Sequence, residues 1–270
     1  MKIKSFLVSS IWLIPFHMSL FANAQTCTSS HDPNRMVILG DSHFTDSTKT
    51  GMVGHYFVAN LGEVKARFQA TNVDRFAVWG ATACDWADTT RMGNNDGTVD
   101  HNFYSCGEQG EVDRPGMPVQ VPVPSLNAIL SSPPKVMIIQ LGTNDVRRLC
   151  LPKNPDTGFG CTTKLVKAIH KSTRNCIWIS PPGYKKLEGC SQGEYDRHVN
   201  DMLEAARNAG CQIVDIRSSC PAPKRGFHYS RSEQQAEAKA AGKCIADAVS
   251  RLVNNRADDQ RSKGETETSI

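Results

Sequence analysis

Short apolar runs alternate along the chain with longer stretches of helical periodicity. Met36–Leu39 (MVIL), Arg75–Trp79 (RFAVW), Val136–Leu141 (VMIIQL), Cys176–Ile179 (CIWI) and Gln212–Ile216 (QIVDI) are short segments rich in branched and aromatic residues. Such runs suit strands buried on both faces. Between and after them, Gly51–Leu61, Ser125–Leu130, Thr162–Thr173, Gly193–Ala209 and Ser232–Val253 have the length and periodicity of helices, and Gly210 stands where a C-cap would end the fourth. Alternating strands and helices predict βαβ units, hence a mainly parallel sheet covered on both faces. Right-handed crossovers place every loop that follows a strand on one edge of that sheet, where ligands gather in such folds. Chemistry is therefore expected where strands end.

Three stretches depart from the alternation. Residues 1–24 begin with Lys2 and Lys4, continue as the mostly apolar run Phe6–Phe21 and end in Ala22-Asn23-Ala24. This is the pattern of a cleaved signal peptide, with a mature chain starting at Gln25. It predicts a periplasmic or secreted protein with no integral membrane segment after cleavage. Residues 88–123 are rich in Gly, Pro, Asn and Asp and predict a long insertion loop within a domain spanning 25–253. Residues 254–270 are almost wholly polar and predict a disordered tail.

Composition narrows the function classes. The 270 residues are 39% hydrophobic and 21% charged at a mean hydropathy of -0.39, which excludes disorder throughout. The 31 basic residues are nearly balanced by 27 acidic ones, so the footprint of a nucleic-acid-binding protein is missing. All ten cysteines follow residue 24, and an even count in an exported chain predicts disulfides, up to five of them, in a connectivity the sequence leaves open. There is no C-x-x-C pair, which argues against zinc. No metal or other cofactor is expected.

Four strand-end signals converge on one chemistry. Gly40-Asp41-Ser42 follows the first run, and a serine on such a turn exposes its hydroxyl beside backbone N–H groups able to hold an oxyanion. Gly80 closes the second run, where a glycine lets a backbone N–H approach a ligand closely. Gly142-Thr143-Asn144-Asp145 follows the third, and an asparagine amide can donate to developing negative charge. His228 lies between the last run and the last helix, on the same expected edge. Each signal alone is also an ordinary turn or a structural histidine. His43, directly after Ser42, is a polar residue at a helix start. Asp41-Ser42-His43 also opens like a two-metal phosphoesterase, but no G-D-x-x-D or G-N-H block follows.

In this order, each after its own strand, the four segments resemble the SGNH (GDSL-like) hydrolase family from about Met36 to Val253. The resemblance implies a three-layer α/β/α, flavodoxin-like fold with a mainly parallel central sheet. It implies Ser42 as nucleophile, His228 as base, and an oxyanion hole built from the Ser42 N–H, the Gly80 N–H and the Asn144 side chain. Relatives usually place an aspartate three residues before the histidine; that position is Arg225 here. Three alternatives stay open: an acid from elsewhere, for which Asp215 at the end of the preceding strand is a candidate, a backbone carbonyl that orients the ring in a Ser-His dyad, or weak activity. The implied activity is hydrolysis of a small acyl ester, O-acetyl above all, on a carbohydrate such as a cell-envelope polysaccharide. Two rivals remain at this point: an O-acyltransferase using the same serine, and a non-catalytic envelope-binding protein with a degenerate triad.

Overall fold

The computed structural model describes residues 31–44, 53–78, 80–87, 104–106, 111–112, 124–150, 159–184, 189–224, 228–229 and 235–267. Its strands are β1 (Arg35–Gly40), β2 (Asn72–Val78), β3 (Tyr104–Cys106), β4 (Glu111–Val112), β5 (Val136–Gln140), β6 (Cys176–Ile179) and β7 (Gln212–Val214). They form one sheet in the order β4-β3-β2-β1-β5-β6-β7. β1 pairs in parallel with β2 and β5, β5 with β6 and β6 with β7, whereas β3 and β4 add on antiparallel beyond β2. The parallel strands thus follow the 2-1-3-4-5 order of flavodoxin-like folds, whose winding reverses between the first and third parallel strands. Here that reversal falls between β1 and β5, so the crevice opens between the loops after Gly40 and after Gln140.

The central strands β1, β5 and β6 are mostly apolar because both faces are buried. Val37, Leu39, Met137, Ile139 and Trp178 face one helical layer, formed by α3 (Ala83–Ala87), α4 (Leu126–Leu130), α5 (Thr143–Cys150), α6 (Gly160–His170) and α7 (Gln192–Asn208). Met36, Ile38, Val136, Ile138, Ile177 and Ile179 face the other layer, formed by α1 (Val53–Ala59), α2 (Gly62–Phe68) and α8 (Gln235–Glu267). Successive residues alternate between the layers, as the strand period of two requires. Each fully buried aliphatic side chain contributes roughly 1.5–3 kcal/mol.

The structure departs from the sequence-based expectation at particular segments. Within 88–123, the short strands β3 and β4 extend the sheet, where the composition predicts only loop; the rest of that segment lies outside the described residues. The last helix continues to Glu267, past the point at which a disordered tail is predicted. Helices α2, α3 and α5 were not foreshadowed by periodicity, being seven, five and eight residues long. The signal segment 1–24 is outside the described residues.

Among the described residues, four disulfides tie the loops to the layers: Cys84–Cys161, Cys150–Cys190, Cys176–Cys211 and Cys220–Cys244. The first joins α3 to α6 across 77 residues of chain. A cross-link of this span restricts the unfolded chain strongly. The double variant Cys84→Ala/Cys161→Ala is expected to lose about 2–4 kcal/mol of stability in urea denaturation. A change below about 0.5 kcal/mol, with the fold intact by circular dichroism, would show that this bridge does not constrain the unfolded state.

Candidate active site

The chain leaves β1 in a tight turn that presents Ser42. Gly40 is required there, because a Cβ at that position would lie 2.7 Å from the Phe44 Cβ. The Asp41 carboxylate accepts the His43 N–H at 2.9 Å, and the Asp41 carbonyl accepts the Phe44 N–H at 3.1 Å. Together they close the turn from within, as an Asx residue does. The Asp41 N–H donates to the Gln140 carbonyl at 3.1 Å, so the turn is also fastened to β5 across the switch point.

The loops after β2 and β5 are fastened to each other. Gly80 has φ +77°, a conformation that glycine adopts without strain. The Asn144 amide nitrogen donates to the Ala81 carbonyl at 3.1 Å, and the Asp145 carboxylate accepts the Ala83 N–H at 3.0 and 3.3 Å. Thr82 and Asp85 add a local cap at the start of α3, with the Thr82 N–H and hydroxyl both donating to Asp85. Two side chains from the first turn of α5 therefore set the height of the Gly80 loop. An amide nitrogen carries two donors, and the bond to Ala81 uses one of those on Asn144.

His228 arrives from the other end of the chain. Tyr229 is buried in the α8-side core and its hydroxyl donates to the Pro221 carbonyl, which anchors the neighbouring histidine. The His228 Nε2 lies 2.7 Å from the Ser42 Oγ, although 186 residues separate them in sequence. Ser42 itself is only 2% exposed.

This hydrogen bond joins the first and last of the sequence blocks. Residues 36–244 match the GDSL-like Lipase/Acylhydrolase family model. The chain belongs to the GDSL-like lipase/acylhydrolase family. It is accordingly a carboxylic ester hydrolase. Among solved structures it is similar to a lipase/acylhydrolase from Enterococcus faecalis, at 14% identity and TM-score 0.47, covering 82% of this chain and 96% of that one. It is similar also to an acetylxylan esterase from Geobacillus stearothermophilus, at 13% identity and TM-score 0.46, covering 84% and 96%. A third is a carbohydrate esterase family 3 protein from Talaromyces cellulolyticus, at 13% identity and TM-score 0.46, covering 82% and 98%. No curated protein matches the sequence.

The acid partner is where this hydrolase departs from expectation. Asp215 does not reach His228: its carboxylate takes the Arg217 guanidinium, at 2.6 Å from Nη2, and the Ser180 hydroxyl at 3.1 Å. The reason is local, since Arg217 follows two residues later and its backbone N–H also bonds Asp215. Burial would raise the Asp215 pKa, but the bonds from Arg217 and Ser180 outweigh it and hold the carboxylate below its usual range. Arg225 lies outside the described residues.

Burial dominates the electrostatics of the site. It pushes Asp41 up to about 8, against the lowering influence of the His43 N–H and Thr143, with the Asp145 charge raising it further. It pushes Asp145 up to about 6, against the bond from the Ala83 N–H. His43 is held well below the usual histidine value, first by burial and then by His228. The His43 Nε2 lies 2.6 Å from the Tyr184 hydroxyl, and its ring centroid is 5.3 Å from that of His228. Tyr184 is the member of this group that sequence reasoning missed. An aromatic residue after the strand-ending Pro181-Pro182-Gly183 was the available signal, but it did not reveal the contact with His43.

His228 is held down to about 4, first by burial and then by the positive charge of Arg147 on α5. The neutral ring is the form that accepts a proton. The acid limb of kcat/KM is therefore expected near pH 4, below the ordinary histidine value of 6.5. Arg147→Gln removes the repulsion, so the limb should move to higher pH. A limb near 6.5 in the unaltered enzyme, or one that does not move in the variant, would contradict this electrostatic assignment.

Proposed function

We propose that this GDSL-like hydrolase is an exported serine esterase that removes small acyl groups, acetyl above all, from a carbohydrate. The observation that carries the reading is the 2.7 Å contact between the Ser42 Oγ and the His228 Nε2 at the switch point of the sheet. The Ser42 hydroxyl attacks the ester carbonyl while its proton passes to the His228 Nε2. The carbonyl oxygen becomes an oxyanion held by the Ser42 N–H, the Gly80 N–H and the remaining Asn144 amide hydrogen. Collapse of the tetrahedral intermediate breaks the C–O bond, and the departing alcohol takes the proton back from His228. Water then repeats the sequence on the acyl-serine, giving up a proton to His228 and releasing the carboxylic acid and the free serine.

Nearly complete burial of Ser42 favours a short acyl group over a long one. The groove that meets the site at Tyr184 is lined by Gln192, Asp196, Asn200, Asp215 and Arg217, a polar surface suited to a hydroxylated alcohol. Four disulfides support an oxidising compartment, in keeping with the signal segment read from the sequence. Among the described residues, no helix is long and apolar enough to cross a membrane. A neutral, closely positioned histidine supports a working nucleophile over a non-catalytic binding protein.

The reading is tested with p-nitrophenyl acetate. Ser42→Ala and His228→Ala should each lower kcat by at least about a thousandfold, in line with the loss of one member of a nucleophile–base pair. Asn144→Ala should lower it by about 10²–10³, as removal of one oxyanion donor does. Turnover unaffected by Ser42→Ala in a folded protein would overturn the assignment.

A further inference from the structure

A groove of about 980 Å³ runs from Tyr184 along the first half of α7, opposite the segment that follows β7. That volume lies in the range of small-molecule sites, roughly 300–1,000 Å³. One wall is set by helical spacing: Gln192, Asp196 and Asn200 are four residues apart, so their side chains stand on one face and span about 12 Å of the helix axis. The floor is Arg217. Gly183 admits it, since a Cβ there would lie 2.3 Å from the Arg217 carbonyl oxygen.

The Arg217 guanidinium is spent inside the wall. Its Nε and Nη2 bond both oxygens of Asp215, its Nη1 bonds the Asp196 carbonyl at 3.2 Å, and its Nη2 also bonds the Asn200 Oδ1. Guanidinium only donates, so the oxygen of the Asn200 amide must face it and the nitrogen must face away. Likewise the Gln192 Nε2 donates to the Asp196 carboxylate at 3.1 Å, which leaves the Gln192 oxygen facing away. Neither the Asn200 nitrogen nor the Gln192 oxygen makes a hydrogen bond among the described residues. The wall thus offers a pair of fixed donors and a fixed acceptor, oriented before any ligand arrives.

The charged side chains on the same surface are held in ion pairs. Asp215 and Asp196 are paired with Arg217, and Lys224, at the far rim, is paired with Glu237. Two carboxylates share one guanidinium, so the surface keeps a net negative charge that disfavours an anionic ligand, whereas a neutral ligand presenting hydroxyls finds both donors and acceptors. The inner end of the groove is Tyr184, whose hydroxyl bonds His43, the residue beside the nucleophile. The groove and Ser42 therefore lie at neighbouring points of the same sheet edge, joined through the Tyr184–His43 contact.

We propose that this groove is the saccharide subsite of the enzyme: a neutral sugar ring of the acylated substrate lies along α7, its hydroxyls meeting the Asn200 amide nitrogen and the Gln192 amide oxygen. The assignment rests on the esterase reading and names where the alcohol part of the ester is held. Fixed amides lower the ordering cost of binding and so contribute selectivity for hydroxylated alcohols.

The test uses the full chain with two kinds of substrate, p-nitrophenyl acetate and a panel of partially O-acetylated neutral oligosaccharides derived from xylan, glucomannan and chitin. The readout is the ratio of kcat/KM for the best oligosaccharide to kcat/KM for p-nitrophenyl acetate. Gln192→Ala/Asn200→Ala lies on an exposed helix face and is expected to fold; it should lower that ratio at least tenfold, chiefly through a higher KM for the saccharide. An unchanged ratio, with saccharide turnover intact, would overturn the subsite and leave the esterase reading standing. Turnover of p-nitrophenyl acetate but of no acetylated saccharide would overturn the carbohydrate reading and the subsite with it. A folded protein that turns over neither would overturn the esterase reading itself.

Discussion

The hydrogen bond from Ser42 to His228 is the contact on which the rest of the architecture bears. Its two ends lie 186 residues apart, so local propensity contributes nothing to it. One end is fixed because β1 pairs on both sides, with β2 and β5, in the middle of the sheet. The other end is fixed because Tyr229 is buried against the α8 layer and Cys220–Cys244 ties the preceding segment to that helix. Between them, Asn144 and Asp145 hold the Gly80 loop against α5. The doubly wound topology makes this convergence possible, since it delivers every one of these loops to one edge of one sheet.

Beneath Ser42 lies a polar layer that the apolar core has to accommodate. Asp41, His43, Gln140 and Thr143 are all buried, and Tyr184 joins them through His43. Burying such groups costs free energy, about 1–3 kcal/mol for each donor or acceptor left without a partner. The fold reduces that cost by keeping the groups neutral: Asp41 is driven upward and both histidines downward by the same desolvation. The consequence is a His228 imidazole that stays unprotonated in mild acid and a Ser42 turn whose geometry is set by internal hydrogen bonds. Specificity of structure at the site is thus obtained at some expense of stability, with the disulfides and the two packed layers supplying the remainder.

How far the sequence revealed this differs from element to element, for physical reasons. β1, β5 and β6 were legible because burial on both faces leaves an unbroken apolar run. The long α7 was legible from its amphipathic period, and its capping box of Ser191 and Glu194 marks the start. α3 and α5 were not, because they are only five and eight residues long, and the Asp145 contact to the Ala83 N–H at the start of α3 exists only once the loops meet. β3 and β4 escaped because two or three residues in a Gly- and Asn-rich stretch carry no alternation. Ser42 and His228 came from motif and order, and their distance could come only from the fold. Asp215 shows the limit of edge logic: it does follow the preceding strand, but Arg217 captures it.

The most direct measurement of the central claim is reaction of the full chain with a fluorophosphonate, followed by mass spectrometry of the modified peptide. If the serine and histidine form a working pair, a single adduct should appear on the peptide holding Ser42, and in His228→Ala it should form at least tenfold more slowly. An adduct on another serine, none at all on a folded chain, or an undiminished rate without His228 would contradict it.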